Sequence, residues 1–402
     1  MKTSHLRVAD VFRAHWPEYR RTHPVAKPAG KAVRHILQCR TAALGGHLYR
    51  CDACGSEVPL YNSCRDKHCP TCQTTRKQQW IQDRRAELLP VPYFHAVFTL
   101  PHDLHPLIGV NRRLLLDEFF SAVNWVLQHF AADPQWKLNG QLGFIAVLHT
   151  WTQKLLLHYH LHCLIPGGAW NAEAGVWQSA HSRYLFGKDA LAKAFQSRFI
   201  RRLNDLRRRG RLTYDRDAAD LATETGWTTL LDRLWKCPWI VYPKATVAGA
   251  EHALDYLARY THRVAISDHR ILSLQDGQVT FAWRDRSSPG GYAPADRADQ
   301  NQLKAMTLPA EQFMARFLLH ILPGRFAKIR YFGWLGARNK RTALTGIRTV
   351  LDAEAPSAPP SDETPAGRIL RLTGVDVTRC PICKTGHLTC MTPLPCARDG
   401  PT

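Results

Sequence analysis

The chain has 402 residues, of which 45% are hydrophobic, a composition typical of a folded protein with two or three domains. Its 54 lysines and arginines outnumber its 33 acidic residues, and the net charge of +21 favours a polyanionic partner such as nucleic acid. No run of about 18 apolar residues and no secretory signal are evident, so we expect neither a membrane span nor export. The twelve cysteines, mostly in short pairs, then indicate metal binding in a reducing cytoplasm, where a DNA-associated protein would lie on the nucleoid.

The order of predicted elements indicates an α+β fold. Apolar periodicity, strand-like runs and turn residues mark each element. The predicted helices are 5–43 with a break near 24–28, 73–89, 107–130, 188–210, 246–262 and 309–321. The predicted strands are 93–100, 142–149, 155–165, 271–274 and 278–283, the last two forming a hairpin around Asp276-Gly277.

Changes in composition divide the chain into four parts. We predict a helical and zinc-binding DNA-recognition module over 1–90 and a catalytic domain over 91–345. Residues 346–378 include a stretch rich in proline, alanine and acidic residues, which predicts a flexible linker. Residues 379–402 form a cysteine-bearing tail.

Two CxxC pairs predict a structural zinc site in the first module. Cys51 and Cys54 are separated by fourteen residues from Cys69 and Cys72, close to the spacing of a four-cysteine zinc ribbon. The same window offers three further potential ligands, so a second zinc or a different choice of four stays open: His47, Cys64 and His68. Such a module buries little core, and Zn²⁺ binding would supply its folding energy.

The tail has a second, irregular set of potential zinc ligands. Its members are Cys380, Cys383, His387, Cys390 and Cys396. Their spacing predicts either a small zinc site within the tail or an unstructured segment.

Three alternating histidines predict a second kind of metal site. His158, His160 and His162 share one face of a strand, where neighbours on that face lie about 6.6 Å apart and the outer two about 13 Å apart. A neighbouring pair with a third ligand from elsewhere is therefore the economical arrangement. Neutral imidazoles suit Mn²⁺ or Zn²⁺, and also Mg²⁺ when phosphate and water complete the shell. The third ligand stays open among His158, His149, His95 and an acidic residue.

Two tyrosines predict a nucleophile. Tyr256 and Tyr260 are one turn apart on a predicted helix, so they share a face. A phenol needs activation to attack a phosphate, and a nearby cation or the guanidinium of Arg259 or Arg263 would stabilise the phenolate.

The basic helix at 188–210 predicts a DNA-contacting face. Its candidate phosphate ligands are Arg198, Arg201, Arg202, Arg207, Arg208 and Arg209.

Many short motifs in one order carry a resemblance that covers most of the chain. They are GGHLYRCDACG, NSCRDKHCPTCQ, FHAVFTLPHDL, HYHLHCLIPGG, YLARYTHRVAISDHRI, MTLPAEQFMARFLLHILPGRF and IRYFGWL. With them the sequence resembles the HUH superfamily (histidine–hydrophobic–histidine) of single-strand nucleases. Within it, the chain is similar to the two-tyrosine rolling-circle transposases of the insertion-sequence-ninety-one type.

The resemblance implies an antiparallel sheet that presents His160 and His162 to a Mg²⁺ or Mn²⁺ ion, and a helix that carries Tyr256 and Tyr260 opposite them. It implies a metal-dependent single-strand DNA endonuclease and strand transferase that forms a 5′-phosphotyrosine. Its partner would be the single-stranded or hairpin ends of a mobile element. No nucleotide cofactor is expected, since the chain has no GxxxxGK[ST] loop.

Three other classes of protein share part of this pattern. A relaxase or a replication initiator would share the histidines and tyrosines but typically carries a helicase or a long partner-binding domain. A tyrosine recombinase uses a metal-free, arginine-rich site. A non-catalytic zinc DNA-binding protein would need the cysteines alone.

Overall fold

A computed structural model describes residues 6–181, 185–245, 265–284, 303–354 and 363–397. Its helices are α1 (Val8–Thr22), α2 (Lys27–Gln38), α3 (Thr74–Arg85), α4 (His105–Val110), α5 (Arg112–Ala132), α6 (Lys188–Arg208), α7 (Glu224–Lys236), α8 (Ala310–Leu318), α9 (Lys340–Val350) and α10 (Pro365–Thr373). Its strands are β1 (Gly46–Cys51), β2 (Glu57–Tyr61), β3 (Tyr93–Thr99), β4 (Phe144–Trp151), β5 (Leu157–Pro166), β6 (Gly168–Asn171), β7 (Val176–Ser179), β8 (Val241–Ala245), β9 (Ile271–Gln275), β10 (Gln278–Arg284), β11 (Leu303–Pro309), β12 (Ile329–Phe332) and β13 (Leu388–Leu394).

A five-stranded antiparallel sheet forms the centre, in the order β12-β4-β5-β3-β8. With the flanking helices it confirms the predicted α+β class. All seven residues of β3 are buried, because helices and loops cover both faces of this inner strand. The sheet is therefore a rigid platform for the side chains that it carries.

The two faces of the sheet differ in chemistry. One face, called the back face, packs on α5 and α6 through alternating residues of β5 such as Tyr159, Leu161 and Cys163. The opposite front face carries the histidines of β5. At one end of the front face, Val147 and Leu164 pack against Trp334 in a separate apolar cluster. The histidines occupy the other end.

Helices α1 and α2 pack on a second unit, the three-stranded sheet β11-β10-β9 with α8. Phe12 of α1 and Phe317 of α8 lie edge to face, with ring centroids 5.3 Å apart. The N-terminus of α1 is capped when the backbone N–H of Arg7 donates to Asp10 at 2.8 Å. Thus the N-terminal helices pack against a part of the chain that is distant in sequence.

The tail does not form a separate unit. Strand β13 pairs antiparallel with β1 and completes the sheet β13-β1-β2, so the end of the chain joins the N-terminal module. Within the predicted flexible linker over 346–378, the described parts are partly helical, because α9 extends to Val350 and α10 spans Pro365–Thr373. Thr364 caps α10, because its side chain accepts a hydrogen bond from the Gly367 N–H. This N-cap marks the start of a helix in a segment whose overall composition is typical of a linker.

The predicted elements agree with the structure in kind over the described residues, and their ends differ by a few positions. The predicted helix 246–262 lies outside the described residues. Within the described ranges, no helix has the length and apolar content needed to cross a membrane.

Candidate metal centres

Three histidines meet on the front face of the central sheet. The ligand nitrogens of His149, His160 and His162 all lie within 4.8 Å of one another, and each of the three residues is buried, with an exposed fraction of 6% or less. His149 comes from β4 and lies directly opposite His160 of β5, while His162 follows two positions along β5. The antiparallel register therefore supplies the third imidazole. We call His149, His160 and His162 the histidine centre.

Hydrogen bonding fixes the tautomer of His160. Its Nδ1 lies 2.9 Å from the carbonyl oxygen of His158, and a carbonyl can only accept, so Nδ1 carries the proton. The lone pair is then on Nε2, the atom that can bind a cation. Such a backbone acceptor behind the ring is the usual way in which proteins orient a metal-binding histidine.

His95 of β3 lies behind His162 and contacts its ring. The His95 Nε2 and His162 Nδ1 are 2.9 Å apart, and the rings are stacked with centroids 5.1 Å apart. Burial, helped by the positive charge of Lys244, lowers the pKa of His95 to about 4, so the imidazole stays neutral. A neutral His95 can accept the Nδ1 proton of His162 and leave the Nε2 of His162 for an ion. Of the candidates for third ligand, His95 therefore supports the centre and His149 belongs to it.

His158 lies outside the centre, and its prediction as an alternative ligand is corrected. Its ring turns to His102, with His158 Nδ1 and His102 Nε2 3.4 Å apart. Its ring does neighbour that of His160, with centroids 4.8 Å apart, but the strand rise separates residues 158 and 162 by about 13 Å.

A small cavity lies beside the histidine centre. The ring of Trp151 links the two, since it stacks on His149 at 4.7 Å and lines the cavity. Two lysines also line it: the Lys328 Nζ is 5.2 Å from the Trp151 ring centroid, and the Lys67 Nζ donates to the Phe326 carbonyl at 2.8 Å. Burial, with the charge of Lys67, lowers the pKa of Lys328 to about 7. We call it the cationic cavity after these two lysines, of which Lys328 is about half protonated near pH 7.

The cysteines form two clusters rather than one. Cys39, Cys64, Cys69 and Cys72 bring their sulfurs within 4.8 Å, as do Cys51, Cys54, Cys380 and Cys383. We call them the inner and the bridging cluster. The single site predicted from Cys51, Cys54, Cys69 and Cys72 is therefore wrong, because the two CxxC pairs point to different partners. Cys64, one of the further candidates, lies in the inner cluster, and Cys39, at the end of α2, was missed because it stands outside any CxxC pattern.

The predicted histidine and tail ligands fall outside both clusters. His68 uses both ring nitrogens, accepting from the Leu322 N–H at 3.1 Å and contacting Asp66 at 3.0 Å. His47 is exposed on β1. In the tail, the His387 ring lies near Asp376, Cys390 is exposed and Cys396 contacts the Ala43 carbonyl. A zinc site made by the tail alone is therefore corrected.

The arginines of α6 divide into two groups. Arg202 makes a double hydrogen bond to Glu118 at 2.8 and 3.0 Å, and Arg207 donates to the Leu221 carbonyl at 2.8 Å. Arg198 lies 4.6 Å from the Trp125 ring centroid. These three arginines make contacts within the protein, and their role in DNA binding stays a prediction.

The remaining arginines of α6 face solvent. They are Arg201 and Arg208, of which Arg208 pairs with Asp205, and Arg209 is exposed just beyond the end of the helix.

The predicted nucleophiles Tyr256 and Tyr260 lie outside the described residues, as do Arg259 and Arg263. The chain on either side of them is described. Strand β8 ends at Ala245, beside β3 of the central sheet, and Ala265 lines the cationic cavity.

Comparison with known proteins finds two family models that match the chain. Residues 143–343, half of the chain, match the family model described as "Putative transposase" and include the histidine centre. Residues 11–100 match the model described as "Transposase zinc-binding domain" and include the whole inner cluster. No solved structure matches the chain.

Two bacterial relatives extend the match. The chain is 40% identical over 392 residues to "Putative transposase y4qJ" of Sinorhizobium fredii, covering 96% of this chain and 95% of that protein. It is 28% identical over 357 residues to the "Transposase for insertion sequence element IS801" of Pseudomonas savastanoi pv. phaseolicola, covering 88% and 81%. With both family models matched, the chain belongs to the transposases of the insertion-sequence-ninety-one type, which carry a zinc-binding domain.

Proposed function

We propose that the chain nicks and rejoins single-stranded DNA at the ends of a mobile element, through a 5′-phosphotyrosine formed beside a histidine-bound Mg²⁺ or Mn²⁺. The observation that carries the proposal is the histidine centre on the front face of the sheet. Burying three imidazoles removes water from each ring, which costs free energy unless the converging nitrogens bind a common partner such as a metal ion.

The residues of the centre fit a divalent cation. The hydrogen bond from His160 Nδ1 to the His158 carbonyl directs the Nε2 lone pair away from the backbone. Three nitrogen ligands leave coordination positions for phosphate oxygens and water. A bound Mg²⁺ or Mn²⁺ would polarise the scissile phosphate there.

The nucleophiles in this proposal are Tyr256 and Tyr260. Supporting it, Ala265, which follows them in the chain, lies in the cavity wall next to Trp151. A phenolic oxygen attacks the phosphorus, a phosphotyrosine ester forms, and the 3′-oxygen leaves and takes up the proton as a 3′-OH. One phosphodiester replaces another, so strand exchange needs no nucleotide hydrolysis. Arg259 and Arg263 would stabilise the phosphate.

DNA is the proposed partner because of charge and family. The net charge of +21 suits a phosphate backbone, as do the exposed Arg201 and Arg208 of α6 and Arg209 just after it. The zinc-binding module would recognise the element's ends, in single-stranded or hairpin form.

The test is cleavage of single-stranded oligonucleotides with and without Mg²⁺ or Mn²⁺. We expect metal-dependent nicking, after which the labelled DNA fragment downstream of the nick stays attached to the protein through its 5′-phosphate. The Tyr256→Phe/Tyr260→Phe double variant should not nick. His162→Ala should lose roughly 100-fold or more in rate, as loss of a group that holds a catalytic metal typically does. His158→Ala, altered on the same strand but outside the centre, should retain activity.

The outcomes separate the alternatives. Nicking by the double tyrosine variant at the wild-type rate would refute the nucleophile assignment. Nicking without transfer to a second strand would favour a relaxase or a replication initiator. Zinc-dependent DNA binding without any nicking would favour a non-catalytic binding protein.

A further inference from the structure

The bridging cluster lies half outside the region that the family models cover. Cys51 and Cys54 fall within residues 11–100, but Cys380 and Cys383 lie beyond both matched ranges. The four sulfurs lie within 4.8 Å of one another although the Cys51 and Cys383 positions are 332 residues apart.

The spacing of the sulfurs fits one tetrahedral ion. The Cys51 and Cys383 Sγ atoms are 3.7 Å apart, and the Cys54 and Cys380 Sγ atoms are 3.9 Å apart. Four sulfurs at about 2.3 Å from Zn²⁺ would be about 3.8 Å from each other. A disulfide requires about 2.05 Å, and all four cysteines are free.

Backbone N–H groups of the tail stabilise the thiolate forms of Cys380 and Cys383. The N–H groups of Ile382 and Gly386 point at the Sγ atoms of Cys380 and Cys383, each at 3.4 Å. A side chain at Gly386 would collide with Cys51 and Asp52, so the two halves approach closely there. Donors directed at sulfur stabilise its negative charge, as a metal-binding cysteine requires.

The sheet that carries the cluster has almost no core of its own. In the described parts of β1, β2 and β13, only Gly46 and Cys51 are buried, and no residue of these strands belongs to a buried apolar cluster. A small three-stranded sheet without an apolar face is not stable by itself. Its strand pairing is intact along β1, from Gly46 opposite Leu394 to Cys51 opposite Leu388. A metal ion is the remaining source of stability for such a unit.

We propose that Cys51, Cys54, Cys380 and Cys383 bind a second zinc ion that clasps the C-terminal tail to the N-terminal module. The inner cluster binds the first. Four thiolates are the donor set that Zn²⁺ takes in closed structural sites. The recognition module is then built from both ends of the chain, so losing the tail removes one of its strands and two of its zinc ligands. This inference does not depend on the proposed reaction.

The test is the zinc content of the purified full-length protein, measured by mass spectrometry after exhaustive dialysis. We expect two zinc ions per chain in the wild type and one in the Cys380→Ser/Cys383→Ser variant. The matched control is Cys390→Ser/Cys396→Ser, which alters two tail cysteines outside both clusters and should keep two. Limited proteolysis should release the tail of the Cys380→Ser/Cys383→Ser variant roughly ten times faster than that of the control, because an unclasped strand opens more often.

A count of one zinc in the wild type would overturn the proposal, and this result does not require any variant to fold. Two zinc ions in the Cys380→Ser/Cys383→Ser variant would also overturn it. Because neither readout involves DNA, failure here is distinct from failure of the proposed reaction.

Discussion

The substitution Lys328→Met should remove a pH dependence from the stability of the protein. Lys328 lines the cationic cavity, and burial together with the charge of Lys67 lowers its pKa from 10.5 to about 7. The folded protein therefore releases this proton near pH 7, whereas the unfolded chain keeps it until about pH 10.5. Between those values the unfolded state binds more protons, so the free energy of unfolding contributed by Lys328 rises with pH.

The magnitude follows from the same two pKa values. Integrating the proton-binding difference from about pH 7 to about pH 9 gives a gain of about 2 kcal/mol in the wild type. The methionine side chain carries no proton, so the variant should lack this gain. Methionine also keeps the length of the side chain, which limits packing changes in the cavity.

The assay is urea denaturation followed by tryptophan fluorescence, at half-unit steps from about pH 6.5 to about pH 9.5, a range that brackets the folded-state pKa. The free energy of unfolding of the variant is subtracted from that of the wild type at each pH, so that the contributions of other titrating groups cancel. Lys31→Met, on the exposed surface of α2, is the control and should parallel the wild type. A difference between the wild type and Lys328→Met that stays constant across this range would refute the reasoning.

Three further outcomes are expected. Burial lowers the pKa of His320 from 6.5 to about 4, so the folded protein should lose stability as pH falls between those values, and His320→Gln should reduce that loss in acid denaturation curves. Gly333 has φ +60° and an added Cβ would collide with the Leu142 carbonyl, so Gly333→Ala should lower the thermal midpoint by several degrees, whereas Gly109→Ala, in open space on α4, should not. Removal of zinc by a strong chelator should lower the thermal midpoint and expose all eight clustered cysteines to a thiol reagent; unchanged thiol counts would contradict structural zinc.

The sequence alone determined which residue types carry the chemistry. Alternation along β5 predicted that His158, His160 and His162 share a face, and the CxxC pairs together with the charge predicted zinc and DNA. These conclusions depend on local geometry: the strand period of two and the short turn within a CxxC pair are properties of a few consecutive residues.

The tertiary structure decided which of these residues meet. His149 joins the histidine centre because the antiparallel register sets it opposite His160, and a register cannot be read from either strand alone. In the same way, a CxxC pair supplies two ligands without specifying the other two. Cys51 and Cys54 meet a pair that is distant in sequence, because β13 returns to β1 and brings Cys380 and Cys383 with it. Pairing over such a distance depends on the packing of the whole chain, which no local pattern contains.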